Sequence, residues 1–371
     1  MLARAQGAVT NGHAVGIMEI APISLLAKRQ EMGNVPVWAI PYLDAPTLFR
    51  FRTWISFARS VLQFQAVVRE FKPDIVSVNF PMWQSLPVVG AFYFPHRWRL
   101  VVTLHGSDIA AVPIQQPKVR SWQRRLLRRA DRVIAVSHSL LEQASNLYPF
   151  LRDKSEVIPN GLAPEWFESA SEQPPKGATR YVLYVGRLDR VKGVDLLLRA
   201  WSQLADQMPG ELWLAGDGPE RKALQDLAVS LKIADRVQFL GRLQREKLRA
   251  LYRNTEFVVL PSRREGLSWV TLEAGACGAI CIATMVGGSV EVIEHEKTGF
   301  LVATESPEAL ARGMLRALRL RPPDLDLMKH AARQRIRNHF SNARMRDRYE
   351  HVYCSLAGRS DSEKARDTRQ D

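Results

Sequence analysis

Short apolar runs alternate with longer helical patterns along the whole chain, and this alternation restricts the fold more than any other feature of the sequence. Parallel strands need a long connection, and a covering helix is the usual one. We therefore predict two doubly wound α/β sheets. The predicted strands lie at 13–20, 35–42, 74–80, 100–105, 132–136 and 156–159 in the first half, and at 181–186, 211–215, 236–240, 257–260, 280–284 and 299–302 in the second half.

The length of the chain predicts more than one hydrophobic core. At 371 residues the chain is longer than the roughly 250–300 residues at which single cores stop growing. A polar stretch with two prolines separates the two sets of strands, and we assign 169–180 as a linker. We expect a first domain over 1–168, a second over 181–335, and a disordered polar tail over 358–371.

The composition excludes several classes of protein. Hydrophobic residues make up 46% of the chain and charged residues 24%, which is typical of a globular protein. No apolar run reaches the roughly 18–20 residues that a membrane-spanning helix needs. The three cysteines, Cys277, Cys281 and Cys354, form neither a C-x-x-C pattern nor an even disulfide framework. We therefore expect a reducing, cytoplasmic location.

The chain is strongly basic, with a net charge of +14, and the densest basic stretch is 117–132. Its apolar residues Val119, Trp122, Leu126 and Leu127 can share one helix face, with arginines around it. The favoured interpretation is a solvated helix face with its apolar stripe in the core. A contact with an anionic membrane surface is the second interpretation. No nucleic-acid motif accompanies the charge, so we expect no nucleic-acid partner.

Residues 261–278 form the stretch with the clearest chemistry. A short apolar run breaks at Pro261, and a helical pattern begins near Ser268. A strand, a loop and a helix N-terminus in this order direct free backbone N–H groups and the positive end of the helix dipole toward one point, which favours an anion. Glu265 lies in the loop and Glu273 in the helix. Carboxylates beside an anion site require hydroxyl donors, which a sugar or a ribose supplies.

Residues 184–195 (Tyr-Val-Gly-Arg-Leu-Asp-Arg-Val-Lys-Gly-Val-Asp) form a second strand-to-helix turn. Gly186 lets the backbone approach a ligand, and the Arg187 guanidinium and Lys192 ammonium suit a diphosphate. Two solvated cations at a helix start are the alternative. A third turn at 214–220 carries Gly216 and Asp217.

Four stretches resemble the retaining glycosyltransferases of the large group 1 family (family 4). They are the E-x7-E motif at 261–278, the G-R-L-x-x-x-K-G element at 184–195, the turn Met-Val-Gly-Gly-Ser-Val-Glu-Val-Ile at 285–293, and Thr-Leu-His-Gly-Ser-Asp at 103–108. The resemblance implies the GT-B fold, in which two doubly wound Rossmann-like domains face a central cleft. It also implies that the last helix, about 336–357, crosses back to the first domain.

The resemblance implies a role for each candidate residue. Donor diphosphate contacts are implied for Gly186, Arg187, Lys192, Gly266, Leu267 and Ser268. Ribose or base contacts are implied for Gly216, Asp217, Arg242 and Glu273. Glu265 and His105 take the catalytic positions, where Glu265 holds the sugar and His105 contacts it from the other domain. Asp108 and Ser137 fall on the acceptor side, although an N-cap explains Ser137 without catalysis. The turn at 285–293 is interpreted as mainly structural.

One part of the family pattern is absent from the sequence. The family opens with a strand and a Gly-Gly loop, whereas residues 2–15 already resemble the helix that follows that loop. We expect either an upstream segment or another part of the chain to fill the place of this strand. A metal-binding D-x-D is also not convincing, because Asp324 and Asp326 begin a late helix where acids suit the dipole. We expect no metal and no cofactor.

The sequence thus predicts a retaining, metal-independent glycosyltransferase. Its partners would be a nucleotide diphosphate sugar as donor and a glycan, a lipid-linked molecule or another hydroxyl compound as acceptor, in cell-surface polysaccharide or glycolipid synthesis. The 117–132 stretch would allow peripheral contact with the inner face of the cell membrane. Two alternatives stay open: a nucleotide-sugar hydrolase or epimerase of the same fold, and a catalytically inactive nucleotide-sugar-binding protein.

Overall fold

The structure is a computed structural model, and it divides the chain into two compact units. It describes residues 9, 13–21, 30–32, 35–41, 51–82, 85–110, 117–168, 180–204, 207, 208 and 210–358. The first unit comprises Met1–Pro159 and Ala343–Asp371, and the second comprises Asn160–Asn342. Residues 160–168, predicted in the first domain, thus belong to the second unit. Almost all of the predicted linker, 169–179, and the predicted tail from 359 onward lie outside the described residues.

The first unit contains two sheets. In the smaller one, β1 and β3 are parallel, and β2, which the sequence does not predict, pairs antiparallel with β3. The larger sheet has the order β4-β5-β6-β7, and all of its pairs are parallel. The strands are β1 (Ile17–Ala21), β2 (Gln30–Met32), β3 (Val35–Pro41), β4 (Ile75–Asn79), β5 (Arg99–Leu104), β6 (Arg132–Ala135) and β7 (Ser155–Val157).

Helices accompany the strands of the first unit. They are α1 (Phe51–Phe71), α2 (Leu86–Ala91), α3 (Ser107–Ala110), α4 (Pro117–Arg129) and α5 (His138–Leu147). The basic stretch forms α4 and buries Leu126 and Leu127, while its arginines remain exposed. The interpretation favoured by the sequence, an apolar stripe in the core beneath a solvated basic face, is therefore correct for these residues.

The second unit contains one six-stranded sheet in which every ladder is parallel. Its order is β10-β9-β8-β11-β12-β13. The strands are β8 (Tyr181–Val185), β9 (Glu211–Ala215), β10 (Val237–Gly241), β11 (Val258–Leu260), β12 (Cys281–Thr284) and β13 (Gly299–Val302). All five residues of β8 are buried, as expected for a strand that helices cover on both faces. Both units are parallel α/β structures, which confirms the predicted fold class.

The helices of the second unit enclose its core around the fully buried Trp201. They are α6 (Val194–Leu204), α7 (Arg221–Ser230), α8 (Arg245–Asn254), α9 (Trp269–Ala276), α10 (Ser289–Val292), α11 (Pro307–Leu318) and α12 (Pro322–His339). The order in which the chain adds strands to the sheet reverses between β8 and β11. β9 and β10 lie on one side of this point, and β12 and β13 lie on the other. In open α/β sheets, ligands bind outside the carboxyl ends of the strands at such a switch point.

The last helix, α13 (Asn342–Ala357), packs on the larger sheet of the first unit. Its Met345, Tyr349 and Val352 are buried against the strand residues Val101 and Ile134. The prediction placed the start of this helix near 336, but α12 continues to His339 in the second unit. Residues 340–342 are held by the backbone of Leu162, which donates to Phe340 and accepts from Asn342 at 2.7 and 2.9 Å. These bonds interrupt the helix.

No helix within the described ranges is long and apolar enough to cross a membrane.

Candidate active site

The loops that follow β8 and β11 meet at the switch point of the second unit. Lys192 Nζ lies 2.6 Å from Glu265 Oε1, although 73 residues separate the two in sequence. Ser262 Oγ donates to the same carboxylate oxygen at 2.8 Å. The Glu265 side chain is only 10% exposed, and that of Lys192 is 29% exposed. The structure therefore brings the two most strongly predicted donor-site side chains into one partly buried ion pair.

A second ion pair fixes the same two loops to each other. The guanidinium of Arg263 binds Asp195 through two hydrogen bonds of 2.7 and 2.8 Å. It also donates to the carbonyl of Arg190 at 2.8 Å and to Glu305, beyond β13, at 2.8 Å. Because a planar guanidinium holds its partners in fixed directions, this cluster restrains three strand-end loops together. We call Arg263, Asp195 and Glu305 the loop clamp.

Two glycines permit the close backbone contacts of these loops. Gly193 has a φ of +67°, and a Cβ there would lie 2.1 Å from the carbonyl oxygen of Pro261. Gly287, with a φ of +50°, would place a Cβ 1.8 Å from the carbonyl oxygen of Glu265. Gly288 N–H donates to the carbonyl of Gly266 at 2.8 Å. The turn at 285–293 therefore supports the Glu265 loop through its backbone, in line with its predicted structural role.

Glu273 lies one turn inside α9, and Ser268 caps that helix by accepting the N–H of Thr271. The Glu273 carboxylate accepts a hydrogen bond from the hydroxyl of Tyr252 at 3.0 Å. Burial raises the pKa of Glu273 to about 7, although the Tyr252 hydrogen bond and the charge of Arg245 oppose the increase. The carboxylate thus changes charge near neutral pH, because burial weakens the stabilisation of its ionised form by water.

The remaining donor-side residues lie at the carboxyl ends of neighbouring strands. Gly186 and Gly216 end β8 and β9, and the N–H of Gly216 donates to the carbonyl of Gly241 at 2.8 Å. Asp217 accepts the N–H of Gly218, and Arg242 is exposed at the end of β10. Arg187 is 69% exposed, with its Nε 3.4 Å from Asp189. Leu267 is buried and offers a ligand only its backbone.

In the first unit, His105 follows β5 at the carboxyl edge of the larger sheet. Its Nε2 lies 3.2 Å from Asn79 Oδ1 at the end of β4, and its ring stacks on Phe80 with centroids 4.0 Å apart. Asp108 is fully buried, and its carboxylate accepts the backbone N–H groups of His105 and Gly106 at 2.7–3.1 Å. Burial raises the pKa of Asp108 to about 6, against the effect of these hydrogen bonds.

The carboxylate of Asp108 therefore holds the His105 loop from inside. Ser137 is also fully buried, and its Oγ caps α5 by accepting the N–H of Leu140 at 3.2 Å. The structure accounts for both predicted acceptor-side residues as supports of the backbone.

Sequence reasoning overlooked four side chains at these strand ends. Arg263 lies within the E-x7-E stretch, and a basic residue in a stretch with two glutamates was the feature that could have identified it. Tyr252 gave no signal, because its partner Glu273 lies in the next helix. Asn79 and Phe80 close a predicted strand, and the polar residue at a parallel strand end was the clue.

One group of possible metal ligands occurs among the described residues. His13 Nε2, Glu350 Oε1 and Cys354 Sγ lie within 4.8 Å of one another in the first unit. His13 and Glu350 form an ion pair or hydrogen bond of 2.6 Å, and the Cys354 thiol donates to the same oxygen at 3.3 Å. These contacts satisfy the buried carboxylate and attach the segment before β1 to α13.

Comparisons with known proteins identify the family of this chain. Residues 167–335 match the family model for glycosyl transferases group 1, and residues 2–166 match the one for glycosyltransferase family 4. N-acetyl-alpha-D-glucosaminyl L-malate synthase from Bacillus anthracis is 30% identical over 268 residues, which cover 70% of this chain and 68% of the relative. An uncharacterized glycosyltransferase from Methanocaldococcus jannaschii is 28% identical over 329 residues, with 85% and 83% of the two chains covered.

Solved structures show the same fold. Sucrose-phosphate synthase from Thermosynechococcus elongatus superimposes with a TM-score of 0.81 at 23% identity, over 95% of this chain and 91% of that one. The Anabaena protein HepE in complex with UDP-glucose gives a TM-score of 0.72 at 21% identity, with 86% of each chain covered. The matched family models, the Bacillus relative and the two Rossmann-like units together show that this chain is a glycosyltransferase, a GT-B member of the group 1 / family 4 glycosyltransferases.

Proposed function

We propose that the protein transfers a sugar from a nucleotide diphosphate sugar to a hydroxyl of a glycan or lipid-linked acceptor, with retention of anomeric configuration and without a metal ion. The observation that carries this proposal is the Lys192–Glu265 pair at the β8–β11 switch point, 2.6 Å apart. The Lys192 ammonium suits the diphosphate of the donor, and the Glu265 carboxylate suits the hydroxyl groups of its sugar. The neighbour HepE in complex with UDP-glucose supports a donor of this class.

Charge on the leaving diphosphate is the main electrostatic demand of the reaction. Lys192 and the exposed Arg187 would stabilise the phosphate oxygens, together with N–H groups at Gly266, Leu267 and the start of α9. Because such donors are in place before the reaction, they stabilise developing charge without a reorganisation cost. Lys192 and Arg187 would thus stabilise the charge that a divalent metal ion stabilises in other glycosyltransferases.

Each carboxylate of the E-x7-E stretch would serve a different hydroxyl group. Glu265 loses part of its contact with Lys192 when the diphosphate enters, and its carboxylate then accepts a hydrogen bond from the sugar. Glu273 accepts from the ribose hydroxyls, with Tyr252 holding the carboxylate in place at 3.0 Å. Both contacts orient the donor.

Retention would follow from attack on the face that the diphosphate leaves. The bond between the anomeric carbon and the phosphate oxygen breaks, and the acceptor oxygen bonds to the same face of that carbon. The acceptor proton passes to the departing phosphate oxygen, so no protein nucleophile is required. His105 of the first unit is the second proposed catalytic residue, and the carboxylate of Asp108 holds the backbone of its loop.

The experiment is donor turnover with and without acceptor. UDP-glucose, GDP-mannose and ADP-glucose are screened first by thermal shift, because a ligand that binds only the folded state raises Tm with its concentration. We expect one donor to raise Tm and to be consumed only when an acceptor is added, at the same rate in EDTA. Hydrolysis independent of any acceptor would indicate a nucleotide-sugar hydrolase. NMR of the product determines the anomeric configuration.

We also propose that the protein works at the inner face of the cell membrane in cell-surface polysaccharide or glycolipid synthesis. The support is the basic surface of α4, which we define as Arg120, Arg124, Arg125, Arg128 and Arg129. Three of these guanidinium groups lie over aromatic rings, Arg125 over Trp122, Arg128 over Phe150 and Arg129 over Phe92, at 5.1–5.4 Å. A positive surface of this kind attracts anionic headgroups.

A further inference from the structure

Phe80 has an unusual backbone conformation for its residue type. Its φ is +54°, in the left-handed region that glycine and asparagine normally occupy. The other described non-glycine residues with positive φ are lysines and glutamates, at positions 72, 232, 296 and 305. A bulky aromatic residue in this region is strained, so the fold must hold it there. Two backbone bonds do so, from Phe80 N–H to Thr103 and from Met82 N–H to Phe80.

Burial alone does not explain why a phenylalanine occupies this strained position. Phe80 is 46% exposed, so a large part of its surface stays in contact with water. Glycine would adopt the same φ without strain and would leave the two backbone bonds in place. Strained residues concentrate at ligand sites, where the surrounding structure maintains a useful side-chain position.

The surroundings of Phe80 show what its ring could bind. One face stacks on His105 at 4.0 Å, with an angle of 19° between the ring planes. Asn79 fixes the plane of His105 through its 3.2 Å contact with Nε2, and Asp108 holds the backbone of the His105 loop. The result is an aromatic surface beside an imidazole and an amide, at the carboxyl edge of a parallel sheet. Apolar area with a few oriented polar groups is characteristic of ligand sites.

We propose that Phe80 and Asn79 form an acceptor subsite that binds a sugar ring, with His105 stacked behind the Phe80 ring as its support. The proposal rests on the proposed glycosyltransferase function and adds the class of acceptor, a carbohydrate with an apolar C–H face. That face packs on the exposed part of the Phe80 ring. The amide of Asn79 hydrogen-bonds a hydroxyl at the edge of the sugar. The strained backbone of Phe80 is retained because it directs the ring to this position.

The test separates strain from binding by substituting Phe80 with glycine. Phe80→Gly removes the strain, so Tm rises, and it removes the ring, so acceptor binding weakens. Lys72→Gly is the matched control, since Lys72 is exposed, lies in the same unit and has a φ of +49°. It raises Tm without changing binding. Phe80→Tyr keeps the aromatic face and retains binding.

Binding is measured by saturation-transfer NMR with methyl α-D-glucopyranoside, methyl α-D-mannopyranoside and methyl α-D-galactopyranoside as probes. We expect at least one probe to bind the wild type and Phe80→Tyr, and to bind Phe80→Gly about tenfold more weakly. Unchanged probe binding by Phe80→Gly, or no binding of any probe to the wild type, would overturn the subsite. The assay requires no turnover, so absence of sugar transfer by the wild type counts separately, against the proposed function. Once transfer is established, we expect Phe80→Gly to raise the acceptor KM and to leave the donor KM unchanged. A raised donor KM with an unchanged acceptor KM would also overturn the subsite.

Discussion

The strand-end loops of the second unit are built from glycines, backbone carbonyls and ion pairs, whereas those of the first unit are built from bulky side chains. In the second unit, Gly193 and Gly287 allow loop backbones to touch, and Lys192 meets Glu265. In the first unit, Phe80 stacks on His105 beside Asn79. The difference suits two kinds of ligand. Phosphates are bound by backbone N–H groups and cations, and sugar rings by aromatic faces and oriented polar groups.

The two sites also differ in how well a short sequence motif can describe them. A backbone-built site needs glycine at fixed positions, so short motifs describe it. A site built from side chains on separate strands can exchange one residue type for another with little change in the fold. We therefore expect substitutions in the second unit to affect every donor and acceptor alike, and substitutions around Phe80 to affect acceptors selectively.

The largest expected effect comes from the ion pair at the switch point. Lys192→Ala and Glu265→Gln should each lower kcat/KM roughly 100-fold or more, since each removes a group that we propose contacts the reacting donor. Both variants should keep the fold, because Ser262 still donates to Glu265 and the Lys192 side chain is partly exposed. Lys222→Ala is the matched control, an exposed lysine paired with Asp226 on α7. Near-native transfer in either site variant would contradict the donor-site assignment.

The loop clamp should give the next largest effect. Arg263→Met removes contacts to Asp195, Glu305 and Arg190, so the two donor loops lose their mutual restraint. We expect kcat to fall about tenfold with a smaller change in donor KM, and stability to fall by about 1–2 kcal/mol, because Asp195 and Glu305 are themselves partly exposed.

Arg263→Lys and Arg199→Met separate positioning from general destabilisation. The lysine variant keeps the charge but loses the planar, two-bond contact, so it should recover stability more than kcat. Arg199 is exposed on α6, and its methionine variant should behave as wild type. Denaturant unfolding and steady-state kinetics measure both quantities. If Arg263→Met lost stability while kcat stayed constant, the clamp would be structural only.

The loop clamp and Asp108 illustrate what could and could not be predicted from the sequence. Glu265, Lys192 and the strands before them follow from local motifs, because apolar periodicity and glycine turns act over a few residues. Arg263 binds acids 68 and 42 residues away, and no local pattern reports such distances. Asp108 resembles a substrate-facing acid in sequence, and only its full burial shows that it holds a loop.

Glu273 provides a prediction about pH. The pKa of about 7 in the folded protein lies above the usual value for a glutamate, because burial disfavours the ionised carboxylate. The neutral form is therefore the stabilising one: its contribution to stability is complete below the unfolded pKa of about 4.5 and is lost as pH rises through about 7. Donor binding should follow the opposite trend, since in the proposed donor site ribose hydroxyls donate to the ionised carboxylate of Glu273.

We expect donor affinity to increase several-fold between pH 6 and pH 8 while the free energy of unfolding falls over the same range. Glu273→Gln cannot ionise, so it should flatten both profiles. Calorimetric titration of the donor identified by thermal shift, and denaturant unfolding at each pH, give the two curves. Parallel profiles for wild type and Glu273→Gln would show that another group is responsible.

The smallest effect on catalysis is expected from the basic surface of α4. Arg124→Glu with Arg128→Glu should leave kcat/KM for a water-soluble acceptor unchanged, because these side chains face outward from a helix whose core contacts are Leu126 and Leu127. The same double variant should lose binding to vesicles containing about 30% phosphatidylglycerol, since each arginine near an anionic surface contributes about 1 kcal/mol. Arg312→Glu with Arg319→Glu, exposed on and just after α11, is the matched control for net charge. If both double variants lost vesicle binding equally, the attraction would arise from total charge and not from the basic surface of α4.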